Sequence, residues 1–134
     1  MLVSACLLGV RCNHRGSASP SPKAMRLADE RRVIAVCPET VGGLPTPRSA
    51  AERKPDGRVV AEDGSDVTAA YARGAAATVD LARSSGARQA VLKARSPSCG
   101  CHQIYADGVL VEGEGVTAQA LREAGVDVQS EEDL

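Results

Sequence analysis

Four short apolar runs punctuate the chain, with helix-length patterns between them. The runs are Leu2-Val3-Ser4-Ala5, Val33-Ile34-Ala35-Val36, residues 89–93 around Ala90-Val91-Leu92, and Val126-Asp127-Val128. Short continuous apolar runs bounded by turn residues predict strands buried on both faces. Gly9 to Pro22 reads as loop, and Ser19 or Ser21 then caps a helix with a proline just inside it, followed by Lys23 to Ala28. Asp66 opens the longest helix: Val67, Ala70, Tyr71, Gly74, Ala75, Val79 and Ala82 recur at helical spacing and Gly86 ends it. Thr117 is expected to cap a last helix over 118–124, closed by Gly125. Residues 104–111 predict a hairpin with Asp107-Gly108 at its turn, and Arg58 to Ala61 a small edge strand. Residues 40–58 are the longest stretch without periodicity, the kind of loop that carries function. Alternating strands and helices predict an α/β fold, one domain over 1–134, with a mainly parallel sheet and helices on both faces.

Composition narrows the picture. With no Phe, no Trp and only Tyr71 and Tyr105, the core must be aliphatic. A net charge of −1 argues against an extended nucleic-acid partner, which needs a basic face. No run reaches the ~20 apolar residues of a membrane span. Five cysteines are an odd count, and the strand–helix pattern supplies its own core, so reduced thiols in the cytoplasm fit better than a disulfide framework. Val3-Ser4-Ala5-Cys6 resembles a lipoprotein cleavage box, yet no charged start or apolar stretch of ~7–15 residues precedes it.

The chemistry concentrates where strands end. Cys6, Cys37 and Cys99 each follow an apolar run. Parallel strands place their carboxyl ends on one side, where open α/β sheets bind ligands. Soft sulfur ligands select zinc, copper(I) or iron–sulfur clusters. No C-x2-C pair is present, so a closed zinc knuckle is not indicated. Three thiolates without a clear fourth suggest a metal centre with an open position, against the alternative of buried small hydrophobes. Cys12, in the polar loop, and Cys101, at the start of an expected strand, read as ordinary thiols. His14 and His102 follow no metal pattern. Glu39, two residues past Cys37, is placed to move protons. Ser96-Pro97-Ser98-Cys99-Gly100 is a tight loop whose hydroxyls and amides can hold a polar atom, with Lys93 and Arg95 beside it for an anion. Neither G-x-G-x-x-G nor a Walker loop occurs.

Four motifs in order carry a resemblance: Ser4-Ala5-Cys6-Leu7-Leu8-Gly9; Cys37-Pro38-Glu39 with Gly42-Gly43-Leu44-Pro45-Thr46-Pro47-Arg48; Ser96-Pro97-Ser98-Cys99-Gly100; and Gly113 to Ala118. Together they resemble the thiouracil desulfidase family over the whole chain. The resemblance implies a Rossmann-like, doubly wound domain holding a [4Fe-4S] cluster on Cys6, Cys37 and Cys99. It implies an open iron that takes sulfur from a thiolated pyrimidine base or nucleotide, with Glu39 and Ser96 as catalytic residues. Ser98, Arg48 and Thr117, each inside a motif, are the expected substrate contacts. One departure stands out. After Cys12 the family usually shows Arg-Tyr-Asp-Gly, and this chain has Asn13-His14-Arg15-Gly16. Two other classes stay open: a structural or redox-sensing metal module, and a metal-free sulfur carrier with a persulfide on Cys12 or Cys101.

Overall fold

A computed structural model describes residues 1–134. Four parallel strands form the central sheet in the order β2-β1-β5-β8: β1 Leu2–Ser4, β2 Ile34–Val36, β5 Gln89–Leu92 and β8 Asp127–Ser130. Two antiparallel pairs lie outside it, β3 Ala51–Arg53 with β4 Val59–Ala61, and β6 Gln103–Ala106 with β7 Val109–Glu112. The helices are α1 Pro22–Glu30, α2 Pro38–Val41, α3 Thr68–Ser85 and α4 Val116–Glu123. Alternation along the strands divides the core. Val3 and Val91 pack with Ala24 of α1 on one face. Leu2, Ala90 and Leu92 pack with Val79 and Ala82 of α3 and Ala118 and Leu121 of α4 on the other. The sheet is therefore flanked by helices on both sides, and its inner strands β1 and β5 are buried on both faces over Leu2–Ser4 and Ala90–Leu92.

Local expectations fared unevenly. Ser21 caps α1, its hydroxyl accepting from the Ala24 amide at 3.2 Å. The Asp107-Gly108 hairpin forms with Ala106 opposite Val109. Asp66 accepts from the Thr68 amide at 2.9 Å, at the entry to α3. Thr117 does not cap α4. The helix starts two residues earlier, at Val116 after Gly115. The amides of Val116, Thr117 and Ala118 instead bond the carbonyls of Pro97 and Ser98, at 2.9, 2.9 and 3.1 Å. Backbone carbonyls from the preceding loop thus do what a side-chain cap would have done. A Cβ on Gly115 would come within 2.4 Å of the Ser98 carbonyl, so only glycine lets the loop approach this closely. Residues 40–58 are not one loop: they contain the end of α2 and the whole of β3. Strand β6 begins at Gln103, two residues past Cys101.

The helix α2 lies against α3 through paired glycines. A Cβ on Gly74 would meet the Pro38 carbonyl oxygen at 2.0 Å, and one on Gly42 the Ala70 carbonyl oxygen at 2.1 Å. Backbone meets backbone here, so neither neighbour can yield by turning a side chain. Gly74→Ala is expected to destabilise the fold at the upper end of the ~1–3 kcal/mol typical of overpacking. A lowered denaturant midpoint checks it; an unchanged midpoint would show that the two helices separate freely.

Candidate active site

The three cysteine-bearing strands β2, β1 and β5 are neighbours, so their carboxyl ends share one rim. Cys6 sits on the 3₁₀ turn Ala5–Leu8 directly after β1. Cys37 occupies the position before α2, with Pro38 as the first helical residue. Cys99 ends a loop after β5 that contains Arg95 at φ 66°. All three line one cavity of about 740 Å³, together with Glu39, Arg48 and Ser96. Cys12 lines it too, and its backbone carbonyl accepts from the Cys37 thiol at 3.7 Å. Four of the five thiols are thus gathered, and Cys101 stands apart.

Cys6, Cys12 and Cys99 resist ionisation. Burial pushes Cys6 up to about 11, and the neighbouring Cys37 adds to the shift. Burial and then Cys37 push Cys12 to about 12. Cys99 is also pushed to about 12, by burial first, with Glu39, Cys6 and Cys37 adding to it against the Ser4 hydroxyl. A raised thiol pKa means the folded chain holds protons that the unfolded chain releases. In the cluster-free protein the contribution of these thiols to stability is therefore expected to be fully present below pH 9.0, the ordinary thiol value. It should be lost as the pH rises from there toward about 12, where the buried thiols ionise. Denaturant midpoints across that window test the sign; a midpoint that rises with pH would contradict it.

Glu39 is the best-held side chain at the rim. It is 9% exposed. Its Oε1 accepts from the Tyr71 hydroxyl at 2.9 Å, and its Oε2 accepts from Arg48 Nε at 2.7 Å and from the Arg48 terminal nitrogen. Arg48 also donates to the Cys12 carbonyl at 2.8 Å, the Pro45 carbonyl at 3.2 Å and Thr46 Oγ1 at 3.0 Å. Each of the guanidinium's N–H groups is engaged. Arg48 is therefore a clamp that joins Glu39 to the Cys12 loop in the wall of the cavity. Burial opposes its charge, but the Glu39 carboxylate outweighs that and raises its pKa. Tyr71 is pushed well above the ordinary phenol value, by burial and then by Glu39, so it stays a hydrogen-bond donor.

Ser96 lines the cavity. Its oxygen accepts from the amides of Ser98 at 3.1 Å and Cys99 at 3.0 Å. Those bonds occupy its lone pairs and leave its hydroxyl hydrogen for a ligand. Ser98 and Thr117 do not reach the cavity. They are buried behind the loop, their hydroxyls bonded to each other at 2.8 Å, and they hold the Cys99 loop to α4. Lys93 lines the cavity with its Nζ 3.2 Å from Glu131 Oε2, and Arg95 pairs with Glu132 at 2.8 Å. The Asn13-His14-Arg15 stretch also forms cavity wall. Asn13 Oδ1 accepts from the amides of Arg15 and Ser17, at 3.1 and 2.9 Å, so an asparagine turn shapes the loop here.

Sequence reasoning missed Tyr71 as a site residue. Its apolar helical spacing hid it, though a buried tyrosine hydroxyl needs a partner, and that was a usable signal. It also missed the terminal Ser130-Glu131-Glu132-Asp133 turn, a capping box in which Ser130 and Asp133 bond each other's backbone. That turn presents Glu131 to the Ala94 amide at 2.7 Å and so braces the loop leading to Cys99.

The chain is 45% identical to a [4Fe-4S]-dependent thiouracil desulfidase, TudS, of known structure; the match covers 100% of this chain and 91% of that one, with a TM-score of 0.93. It is 40% identical to the uncharacterized protein YbbK of Bacillus subtilis (strain 168), over 100% of this chain and 97% of that protein. The family profile described as 2-thiouracil desulfurase matches residues 1–133. A family profile matched over residues 1–133, with a solved relative 45% identical across the whole chain, makes the chain a member of the 2-thiouracil desulfurase family.

Proposed function

We propose that this protein is an iron–sulfur desulfidase acting on a thiolated pyrimidine base or nucleotide of the 4-thiouracil type. Cys6, Cys37 and Cys99 would hold a [4Fe-4S] cluster with one iron open. The observation that carries the reading is the convergence of these thiols with a buried, doubly held Glu39 on one cavity. The donor set fits the group. Soft thiol donors follow adjacent parallel strands, and burial first of all keeps Cys6 and Cys99 protonated until a cation arrives. The set whose ligand atoms close to within 4.8 Å of one another, as a single ion wants, lies elsewhere, at Cys101, His102 and Asp133. The strand order, with α1 on one face and α3 and α4 on the other, supports a small doubly wound, Rossmann-like reading of residues 1–134.

When bound, the cluster supplies a Lewis-acidic iron with affinity for sulfur. Over the reaction, water oxygen replaces sulfur at the ring carbon and the sulfur leaves as sulfide, with no net oxidation. Glu39 takes the proton from the attacking water at one of its carboxylate oxygens. Tyr71 and Arg48 fix the carboxylate so that no reorientation is needed at that moment. The Ser96 hydroxyl donates to the ring and orients it. The reading places the protein in the cytoplasm, and no helix is long and apolar enough to cross a membrane.

The place of Cys12 on the same cavity favours one rival, a closed four-thiol centre serving structure or redox sensing. Iron and sulfide content of protein purified without oxygen, measured with loss of the thiocarbonyl absorbance of 4-thiouracil or its nucleotide, separates the readings. Iron, sulfide and turnover together support the desulfidase. A colourless zinc protein without turnover supports the rival, and a metal-free protein with a persulfide supports a sulfur carrier.

A further inference from the structure

Away from the cavity, Cys101, His102 and Asp133 offer ligand atoms that all lie within 4.8 Å of one another. None of the three lines the cavity of the candidate active site. We propose that they form a second metal site, separate from the rim thiols, that takes a single divalent ion of the zinc class.

The donor set is one thiol, one imidazole and one carboxylate. Zinc is bound by these three side-chain types, and three protein ligands with a remaining open position is a recurring zinc arrangement. His102 and Asp133 are exposed and Cys101 is half-buried, so water can complete the coordination. Binding is written simply: the ion enters, the Cys101 thiol gives its proton to solvent, and sulfur, nitrogen and oxygen lone pairs bind the metal.

The frame that holds these ligands is set independently of them. On one side, the Gly100 amide bonds the Ser96 carbonyl at 2.9 Å, and the Gly113 amide bonds the His102 carbonyl at 3.1 Å. On the other, the Ser130 amide bonds Asp133 Oδ2 at 2.8 Å, and β8 holds Ser130 in register with Leu92. His102 Nε2 lies 2.7 Å from the same Asp133 Oδ2, leaving Oδ1 for an ion while the capping bond persists. Residues from two distant segments are thus already gathered, which lowers the ordering cost of binding. An ion here would tie the C-terminal turn to the chain that runs on from Cys99.

Zinc bound per chain decides the matter, measured by equilibrium dialysis of the full chain with elemental analysis of zinc and iron in the same samples. In cluster-loaded protein, where the rim thiols are engaged, one zinc per chain is expected. Cys101→Ser and His102→Gln should each lose it with iron unchanged. Their affinity should fall by more than the ~10–100-fold that loss of an outer partner costs. Cobalt in place of zinc should add a thiolate charge-transfer band that Cys101→Ser abolishes. If no cluster forms, the iron reading exposes that failure by itself. The zinc difference between wild type and Cys101→Ser is still expected to be one. Equal zinc in wild type and both variants, or a cobalt spectrum without the thiolate band, would overturn the site and leave His102–Asp133 a surface ion pair.

Discussion

Glu39→Gln is expected to assemble a full complement of iron and yet lower turnover by about 10²-fold or more, the size of a general acid–base contribution. Glutamine keeps the shape. Its carbonyl oxygen can still accept from Arg48, and its amide can donate to the Tyr71 oxygen. What it cannot do is take a proton from water. Arg48 is left as a cation without its counter-ion, its side chain only 7% exposed. Some stability loss is therefore expected as well, because a buried charge without its partner is costly. Measuring iron, denaturant midpoint and turnover on the same samples separates the two effects. Normal iron with normal turnover would remove Glu39 from the mechanism. Low iron would make its role structural and pass the proton chemistry to Ser96. Tyr71→Phe, which removes one of the two holds on Glu39 and leaves its charge, should fall between wild type and Glu39→Gln in turnover.

Replacing Cys6, Cys37 or Cys99 by serine should each remove most of the iron, with turnover falling in step. Loss of an outer-shell partner alone costs ~10–100-fold in metal affinity, and a ligand matters more. Cys12→Ser is the informative control. It lines the same cavity and its carbonyl accepts from the Cys37 thiol, so proximity alone does not distinguish it from the other three. Under the open-iron reading its iron content stays near wild type. An iron loss equal to that of Cys6→Ser would make Cys12 a fourth ligand, close the centre and favour the non-enzymatic rival.

The rim thiols were legible because two simple constraints act together. Strands covered on both faces must be apolar throughout, which makes Leu2–Ser4, Ile34–Val36 and Gln89–Leu92 visible as runs. Parallel pairing then sends the residues after each run to the same edge. Glu39 followed from Cys37 because two residues of helix start separate them. Ser98 and Thr117 were misplaced for the converse reason. Their motifs mark a loop and a helix start that pack on each other, and a motif does not say whether its hydroxyls face the cavity or the neighbouring backbone.

By itself, then, the amino-acid order determined the strands, the parallel sheet between helices, the place of Cys6, Cys37 and Cys99 at its rim, and the position of Glu39 two residues past Cys37. These follow from periodicity and chain direction, which are local or nearly so. Tertiary structure alone decided what each group touches. It brought Tyr71 to Glu39 from across the chain, committed every donor of Arg48, drew Cys12 to Cys37, and set Asp133 against His102. Such partners come from segments that meet only when helices and strands pack. A hydrogen bond between them leaves no trace in the spacing of either segment, because it depends on shape complementarity between surfaces that the order of residues does not display.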